Sequence, residues 1–293
     1  MWKLYLREAR RGFGGFRPKD RKVLVVGIPM DYTSSYRSGA RFAPEAIRRV
    51  SESIELCSVL GDCIVEELGI DDIGDLQPIA GDVISTLRMI EELARDLVGA
   101  GKRVIAIGGD HTISIGLVKG LSSVVKGACL CVVDAHLDLR DELFGRYSHA
   151  TTMRRILEEC RIDRIVWVGV RAFSSEELEY LKELEIPWRI VKSFDVLSDP
   201  QSISSVVKFL NDCEALYLSI DVDGFDPSYA PGVQTPEPMG IPPYALIKML
   251  EEIEVPILAA DIVEISPPYD VSESTVALGA RLIVELARHM YRR

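Results

Sequence analysis

Three short motifs in this sequence place histidines or aspartates directly after an apolar run. They are Gly108-Gly109-Asp110-His111, Asp134-Ala135-His136-Leu137-Asp138 and Asp221-Val222-Asp223. Alternate residues of an extended segment lie on the same side, so we expect Asp134, His136 and Asp138 to converge on one point. The pair Asp221 and Asp223 repeats this two-residue spacing. Buried acidic groups repel each other and resist the loss of hydration unless a cation neutralises them, so the motifs predict a metal site.

The donor types indicate which metals fit this site. The candidate ligands are four carboxylates and two imidazoles, namely His111, Asp134, His136, Asp138, Asp221 and Asp223. A set rich in oxygen and without thiolate favours Mn²⁺, with Fe²⁺ or Co²⁺ as alternatives, over structural Zn²⁺. Six ligands are too many for one catalytic ion. We therefore expect two ions ~3.5–4 Å apart that share carboxylates and a water molecule. A water held by both ions loses a proton near neutral pH. For each motif alone, a packed histidine or a solvated acidic loop is the alternative.

Two further side chains are candidates for proton transfer and for substrate binding. His149 precedes a predicted helix and is not needed as a ligand, which leaves it free to carry a proton; helix capping is the alternative role. Glu264 follows the last apolar run, where a carboxylate can hold a planar cation by paired hydrogen bonds; a salt bridge at the sheet edge is the alternative. The remaining histidine, His289, is predicted to lie on the surface of the C-terminal helix.

Strands and helices that must position these groups alternate along the chain. We predict strands at residues 23–27, 103–107, 128–134, 165–170, 216–221 and 257–265. We predict helices at residues 44–53, 81–98, 114–126, 150–160, 174–185, 243–253 and 274–291. Unbroken apolar strands separated by helices indicate an α/β fold with a parallel sheet covered on both faces. In such a sheet the loops after the strands build the active site. We predict one domain, residues 1–293, with residues 1–22 as a basic N-terminal arm.

Composition excludes several classes of function. The 293 residues contain 45 acidic and 34 basic side chains, a net charge of −11, which argues against nucleic-acid binding and favours a small cationic partner or metal ions. The apolar runs are far shorter than the ~20 residues of a membrane-spanning helix. Residues 1–22 lack the apolar core of a secretory signal. The six cysteines include no Cys-x-x-Cys pair, so we expect reduced thiols in a cytoplasmic protein.

Taken together, the motifs resemble those of the ureohydrolases, the family of arginase and agmatinase. The similarity covers most of the chain, from Ser38-Gly39-Ala40-Arg41-Phe42-Ala43-Pro44 to Glu264. This resemblance implies the arginase-like fold, a single-domain three-layer αβα sandwich with a mainly parallel central sheet. It implies an enzyme that cleaves a guanidino group to urea and an amine with two Mn²⁺ ions per subunit, and a homotrimer or homohexamer.

The resemblance also assigns roles to individual residues. One ion would be held by His111, Asp134, Asp138 and Asp221, and the other by Asp134, His136, Asp221 and Asp223. By the same similarity, hydroxide attacks the guanidinium carbon, Asp138 helps to pass a proton to the leaving amine, and His149 relays protons to solvent. Glu264 would hold the guanidinium group, and Thr235 would line the substrate pocket.

The choice of substrate depends on the segment after Asp138. Arg140 stands where arginases carry an asparagine that recognises the amino-acid head, and the following residues are similar to the agmatinase pattern. The resemblance therefore implies agmatine as substrate, giving putrescine and urea. Aminopropylagmatine, guanidinobutyrate or arginine are the alternatives, and an inactive metal-binding homologue is a second one. Gln234 and Met239 replace glycines that are usual in the family, and we expect them to narrow the pocket or change its preference.

Overall fold

In a computed structural model, which describes residues 2–16, 19–199 and 201–293, nine strands form one sheet. The strands are β1 (Leu6–Arg7), β2 (Val23–Gly27), β3 (Asp71–Leu76), β4 (Arg103–Ile107), β5 (Ala128–Val133), β6 (Arg164–Val170), β7 (Trp188–Lys192), β8 (Ala215–Asp221) and β9 (Ile257–Val263). Their order in the sheet is β1-β3-β2-β4-β9-β8-β5-β6-β7. The pair β1–β3 is antiparallel and the other neighbours are parallel.

Helices cover both faces of this sheet. They are α1 (Ala43–Ser51), α2 (Ile64–Leu68), α3 (Val83–Gly99), α4 (Ile113–Val124), α5 (Thr152–Glu159), α6 (Ser175–Glu183), α7 (Ser193–Ser198), α8 (Ser202–Leu210), α9 (Pro243–Glu252) and α10 (Ser274–Arg292). The apolar side chains of α1, α8, α9 and α10 pack in one core, and those of α3, α4 and α5 in a second. Alternation along the strands divides the sheet between the two cores: Cys131 faces the first and Val132 the second. This is the predicted three-layer αβα sandwich.

All six predicted strands are present, but β1, β3 and β7 were not predicted. The sequence of β3, Asp-Asp-Ile-Gly-Asp-Leu, contains three aspartates, which disfavours a strand on intrinsic preference. The strand forms because Arg48, fully buried on α1, donates to Asp72 at 2.7 Å and to Asp75 at 2.6 Å. Strand β7 lies at the edge of the sheet, and most of its residues are exposed or half-buried, so no apolar run marks it.

The expectation of six reduced thiols is wrong for four of them. Cys57 is bonded to Cys63 and Cys129 to Cys213, whereas Cys131 and Cys160 are free. Cys129 lies in β5 and Cys213 lies two residues before β8, 84 positions later. The spacing in sequence does not reveal this pair, because only the pairing of β5 with β8 brings the two residues together.

His289 is buried, which corrects its predicted surface position. Its side chain lies against the end of α9, with Nδ1 3.0 Å from the carbonyl oxygen of Leu250 and Nε2 3.4 Å from that of Val255. Burial lowers the pKa of His289. The helical pattern of α10 does not show this contact, since it depends on how α10 docks against α9.

The described part of the predicted N-terminal arm contributes to the sheet through β1 and to the cores through Trp2 and Phe13, which are buried. Arg17, one of its basic residues, lies outside the described residues. The separate role of residues 1–22 stays a prediction. No helix within the described residues has both the length and the apolar character needed to cross a membrane.

Candidate active site

Four neighbouring strands end at the candidate site. In the sheet, β4, β9, β8 and β5 lie side by side and run parallel. The three predicted motifs follow β4, β5 and β8, and Glu264 follows β9 directly. Because parallel strands present their carboxyl ends at the same edge of a sheet, side chains that are far apart in sequence meet there.

The six predicted ligands lie together at this edge. His111 Nδ1 is 2.9 Å from Asp138 Oδ2, 3.3 Å from Asp221 Oδ2 and 3.4 Å from Asp134 Oδ2. The second imidazole, His136, has its Nδ1 3.3 Å from Asp223 Oδ2 and 3.4 Å from Asp134 Oδ1. The two carboxylate oxygens of Asp134 therefore face different imidazoles. The predicted ligands are buried except His136, whose side chain is 28% exposed.

The convergence of Asp134, His136 and Asp138 has a different cause from the one expected. Strand β5 ends at Val133, so the three residues do not alternate along an extended segment. Asp138 has a φ of 54°, in the left-handed region that costs a non-glycine residue roughly 1–2 kcal/mol. A turn, held by its surroundings, brings Asp138 back to His111.

Unsatisfied buried atoms show that the residues fit metal ions. His111 Nδ1 and Asp134 Oδ2 are buried without a hydrogen-bond partner among the described residues, which native structures rarely tolerate unless an ion or water completes the group. Two sets, His111-Asp134-Asp221 and Asp134-His136-Asp223, have ligand atoms within 4.8 Å of one another. Asp134 belongs to both sets, as a bridging ligand would.

The electrostatics of the cluster favour a cation. Burial and the nearby charge of Asp134 raise the pKa of Asp138 to about 7. Burial, with the charges of Asp223 and Asp134, raises the pKa of Asp221 well above its ordinary value. Burial acts to lower the pKa of His111, but the surrounding carboxylates of Asp134, Asp138 and Asp221 outweigh burial and raise the pKa well above its ordinary value. The cluster therefore binds protons in place of a cation when no metal neutralises it.

His149 lies beside this cluster at the start of a short 3₁₀ turn before α5. Its Nε2 is 2.9 Å from Ser35 Oγ, and its backbone N–H donates to Thr33 Oγ1 at 3.0 Å. Its Nδ1 is 3.8 Å from Glu264 Oε1. Burial lowers the pKa of His149 to about 4, so the ring is neutral near pH 7 and can accept a proton. Nothing in the sequence marked Thr33 and Ser35, since hydroxyl residues are common in loops.

Glu264 is fully buried. Its Oε1 accepts the backbone N–H of His111 at 2.6 Å, and its Oε2 has no hydrogen-bond partner among the described residues. Burial, followed by the charges of Asp110 and Asp223, raises the pKa of Glu264 well above its ordinary value. The backbone of Glu264 has a φ of 68°. A strained, buried carboxylate with one unpaired oxygen is typical of a functional position.

A cavity of about 160 Å³ opens onto the cluster. It is lined by Ser35, His136, Asp138, Arg140, Leu143, His149, Ala150, Asp221, Asp223 and Thr235. A neighbouring cavity of about 400 Å³ shares His136, Asp138, Arg140 and Ala150 with it. Both are large enough for a small extended molecule, and Glu264 lines neither of them.

The loop after β8 contributes Thr235, Gln234 and Met239. Thr235 lines the smaller cavity, and its hydroxyl donates to Asp223 Oδ2 at 2.8 Å. Gln234 is buried, accepts a hydrogen bond from the hydroxyl of Ser34, and has an unpaired Nε2. Met239 is 76% exposed. Neither Gln234 nor Met239 lines the two cavities. The presence of these larger residues in place of the family's usual glycines therefore does not narrow the cavities directly.

Residues 21–288 match the sequence profile of the Arginase family. An agmatinase of Bacillus anthracis is 33% identical over 272 residues, which cover 92% of this chain and 91% of that protein. A guanidinobutyrase of Pseudomonas aeruginosa is 32% identical over 269 residues, 89% of this chain and 84% of that protein.

Solved structures agree with this match. The crystal structure of the agmatine ureohydrolase of Thermoplasma volcanium has a TM-score of 0.81 at 31% identity, and the comparison covers 98% of this chain and 94% of that one. It confirms the predicted fold class. The chain belongs to the arginase family and is a hydrolase that acts on guanidino C–N bonds.

Proposed function

We propose that this protein releases urea from agmatine, leaving putrescine, with a pair of Mn²⁺ ions. The observation that carries the proposal is the convergence of six candidate ligand side chains. Two of their buried atoms, His111 Nδ1 and Asp134 Oδ2, have no hydrogen-bond partner among the described residues. His149 stands 3.8 Å from Glu264 beside that cluster. Neither His149 nor Glu264 is needed merely to bind metal, so their presence supports an enzyme over an inactive metal-binding homologue.

Each residue has a separate task in this proposal. When bound, two divalent ions lower the pKa of a shared water and so supply a hydroxide near neutral pH. One ion is assigned to His111, Asp134, Asp138 and Asp221, and the other to Asp134, His136, Asp221 and Asp223. Asp138 would accept a hydrogen bond from the nucleophile and pass that proton to the leaving amine. His149 would relay to solvent the separate proton that the next water loses at the site. Glu264 and Thr235 orient the guanidinium group.

Charge supports a cationic substrate. The chain has a net charge of −11, and the larger cavity is lined by the three acidic side chains of Asp138, Glu177 and Glu237 against two basic ones, Arg140 and Arg171. The side chain of Glu237 is 40% exposed at its rim. A carboxylate in this position attracts the ammonium end of agmatine.

One observation favours guanidinobutyrate as a second candidate. Arg140 lines both cavities and is half-buried. Its guanidinium has no hydrogen bond, ion pair or ring contact within the part of the chain that the structure describes. A free cation at the cavity wall attracts a carboxylate end and repels an ammonium end. The two named relatives above, an agmatinase and a guanidinobutyrase, are almost equally similar to this chain.

A substrate panel tests the proposal. Urea release is measured with agmatine, arginine, aminopropylagmatine and guanidinobutyrate, in protein shown to carry two Mn²⁺ ions. We expect agmatine to have the highest kcat/KM. The absence of urea from all four compounds would contradict the proposed activity.

Arg140→Ala separates the two leading substrates. Removing a like charge raises kcat/KM for agmatine, whereas removing an anchoring charge lowers kcat/KM for guanidinobutyrate. Arg146→Ala is the matched control, because Arg146 belongs to the same segment but pairs with Glu158 and lines neither cavity. If guanidinobutyrate is the better substrate and Arg140→Ala alone abolishes that preference, the assignment to agmatine is wrong.

The assembly and location also belong to this proposal. A homotrimer or homohexamer is proposed from the family resemblance, and light scattering on the purified protein measures it. A cytoplasmic location is proposed as well. The two disulfides count against it, because a reducing compartment keeps thiols reduced.

A further inference from the structure

Asp261 on β9 is a buried carboxylate without a cationic partner among the described residues. It is fully buried, and its oxygens accept hydrogen bonds from three hydroxyl groups. Ser114 Oγ donates at 2.6 Å and Ser219 Oγ at 2.8 Å, and Tyr217 donates through its phenol. Burying a charge without an opposite charge is costly, so a carboxylate maintained here calls for a reason beyond packing.

Hydrogen bonds connect Asp261 to His111 through Ser219. Ser219 Oγ is 2.8 Å from His111 Nε2 and 2.8 Å from Asp261 Oδ1. A serine hydroxyl has one proton, and an ionised carboxylate only accepts. The Ser219 hydroxyl therefore donates its hydrogen bond to Asp261 and accepts a hydrogen bond from the N–H of His111 Nε2. This places the ring proton of neutral His111 on Nε2.

The opposite ring nitrogen then carries the lone pair. His111 Nδ1 faces Asp134, Asp138 and Asp221 at 2.9–3.4 Å and has no hydrogen-bond partner among the residues that the structure describes. A metal ion requires an imidazole nitrogen that is unprotonated and held in a fixed direction. The hydrogen bonds from Asp261 through Ser219 to His111 Nε2 leave Nδ1 unprotonated in the neutral ring and hold the ring in one direction.

We propose that Asp261 is a positioning residue, which acts through Ser219 to hold His111 in the tautomer and orientation that a divalent ion needs at Nδ1. The inference rests on the proposed metal pair. It adds a carboxylate–serine–histidine chain behind the ligand, in which the negative charge of Asp261 is offset when a cation binds. The competing explanation is purely structural, because Asp261 also joins β9 to α4 and β8.

Two serine variants separate these explanations. Ser219 and Ser114 are both fully buried and both donate to Asp261, but only the hydroxyl of Ser219 lies against the His111 ring. Ser114 meets His111 through its backbone N–H, which donates to the His111 carbonyl at 3.1 Å and is retained in Ser114→Ala. Loss of either hydroxyl removes one hydrogen bond from Asp261, so a structural role predicts similar effects. The positioning role predicts that Ser219→Ala weakens metal binding and that Ser114→Ala does so far less.

The experiment is calorimetric titration of Mn²⁺ into the metal-free full-length protein, with thermal unfolding of the metal-free form as a second readout. For Ser219→Ala we expect about 10–100-fold weaker binding of one of the two ions, the range typical of outer-sphere partners. Ser114→Ala should bind both ions nearly as tightly as the wild type. Equal Mn²⁺ affinities for the two variants would overturn the inference.

Asp261→Asn tests the carboxylate itself. Its removal deletes a buried negative charge, so we expect weaker Mn²⁺ binding and a metal-free protein at least as stable as the wild type. Unchanged Mn²⁺ affinity, or a loss explained entirely by a lower unfolding temperature of the metal-free form, would refute the positioning role. These outcomes do not depend on urea release: a protein that binds two ions in this way but hydrolyses none of the four compounds contradicts the proposed function alone.

Discussion

Burial shifts the pKa values of His149, the proposed proton carrier, and of Glu264, the proposed substrate-binding residue, in opposite directions. It lowers the pKa of His149 to about 4 and raises that of Glu264 well above its ordinary value. In both cases burial disfavours the charged form. His149 is therefore a neutral acceptor near pH 7, and Glu264 favours a cationic neighbour. The residue types were visible in the sequence, but these protonation preferences depend on neighbours from other segments.

His149→Asn tests the assignment at this scale. The variant retains a polar side chain but removes the ring that accepts a proton, so we expect kcat to fall by about 10²–10⁴-fold. Its Mn²⁺ affinity should match that of the wild type, because His149 belongs to neither candidate ligand set. Steady-state urea assays and calorimetry measure the two quantities. A loss of metal binding would make His149 a ligand and not a proton carrier.

The loops after β2, β4 and β9 contact one another closely at the candidate site. Asp110 N–H donates to Met30 O at 2.7 Å, and Glu264 N–H donates to Gly109 O at 2.9 Å. A Cβ atom at Gly109 would lie 1.7 Å from Met30 O. Gly109 is therefore required by the close approach of another backbone. This junction places the backbone N–H of His111 within hydrogen-bonding reach of Glu264.

Gly109→Ala should damage this junction. The added methyl group must displace backbone atoms, so we expect a loss of stability of about 1–3 kcal/mol or more, together with weaker Mn²⁺ binding through displacement of His111. Chemical denaturation measures the first effect and calorimetry the second. Gly99→Ala, at the end of α3, is the control, since its Cβ would meet only Val124 Cγ1 at 3.8 Å. Similar behaviour of the two variants would show that the junction tolerates displacement.

At the scale of the whole molecule, the net charge of −11 includes carboxylates that lie in the interior. Four aspartates converge in the interior beside two imidazoles. Groups such as these repel one another in a metal-free protein. A ligand that binds only the folded state stabilises it in proportion to the logarithm of its concentration over Kd.

Removal of metal should therefore lower the unfolding temperature. With free Mn²⁺ at about 100 times Kd, each occupied site adds about 2.7 kcal/mol to the free energy of unfolding. Differential scanning calorimetry with Mn²⁺ and with a chelator measures the difference. Asp134→Asn, which alters both ligand sets, should lose the response to Mn²⁺ and the activity together. An unfolding temperature that is indifferent to Mn²⁺ in the wild type would count against a metal centre.

From the sequence alone, the fold class, the family and the main elements could be predicted. Unbroken apolar runs predicted six strands, the motifs after them supplied metal-ligating residue types, and their order resembled that of the ureohydrolases. These features are local, because strand periodicity and donor type are properties of short segments. The sequence also placed the candidate ligands at strand ends, where parallel pairing brings them together.

The tertiary structure alone decided which groups are buried and which partners they have. The acidic strand β3 is stabilised by buried Arg48, which pairs with its aspartates Asp72 and Asp75. Cys129 lies next to Cys213 because β5 pairs with β8. The link from Asp261 to His111 joins β9 to the loop after β4 through Ser219 of β8. Burial and hydrogen bonding of this kind arise between segments distant in sequence, so no local pattern encodes them.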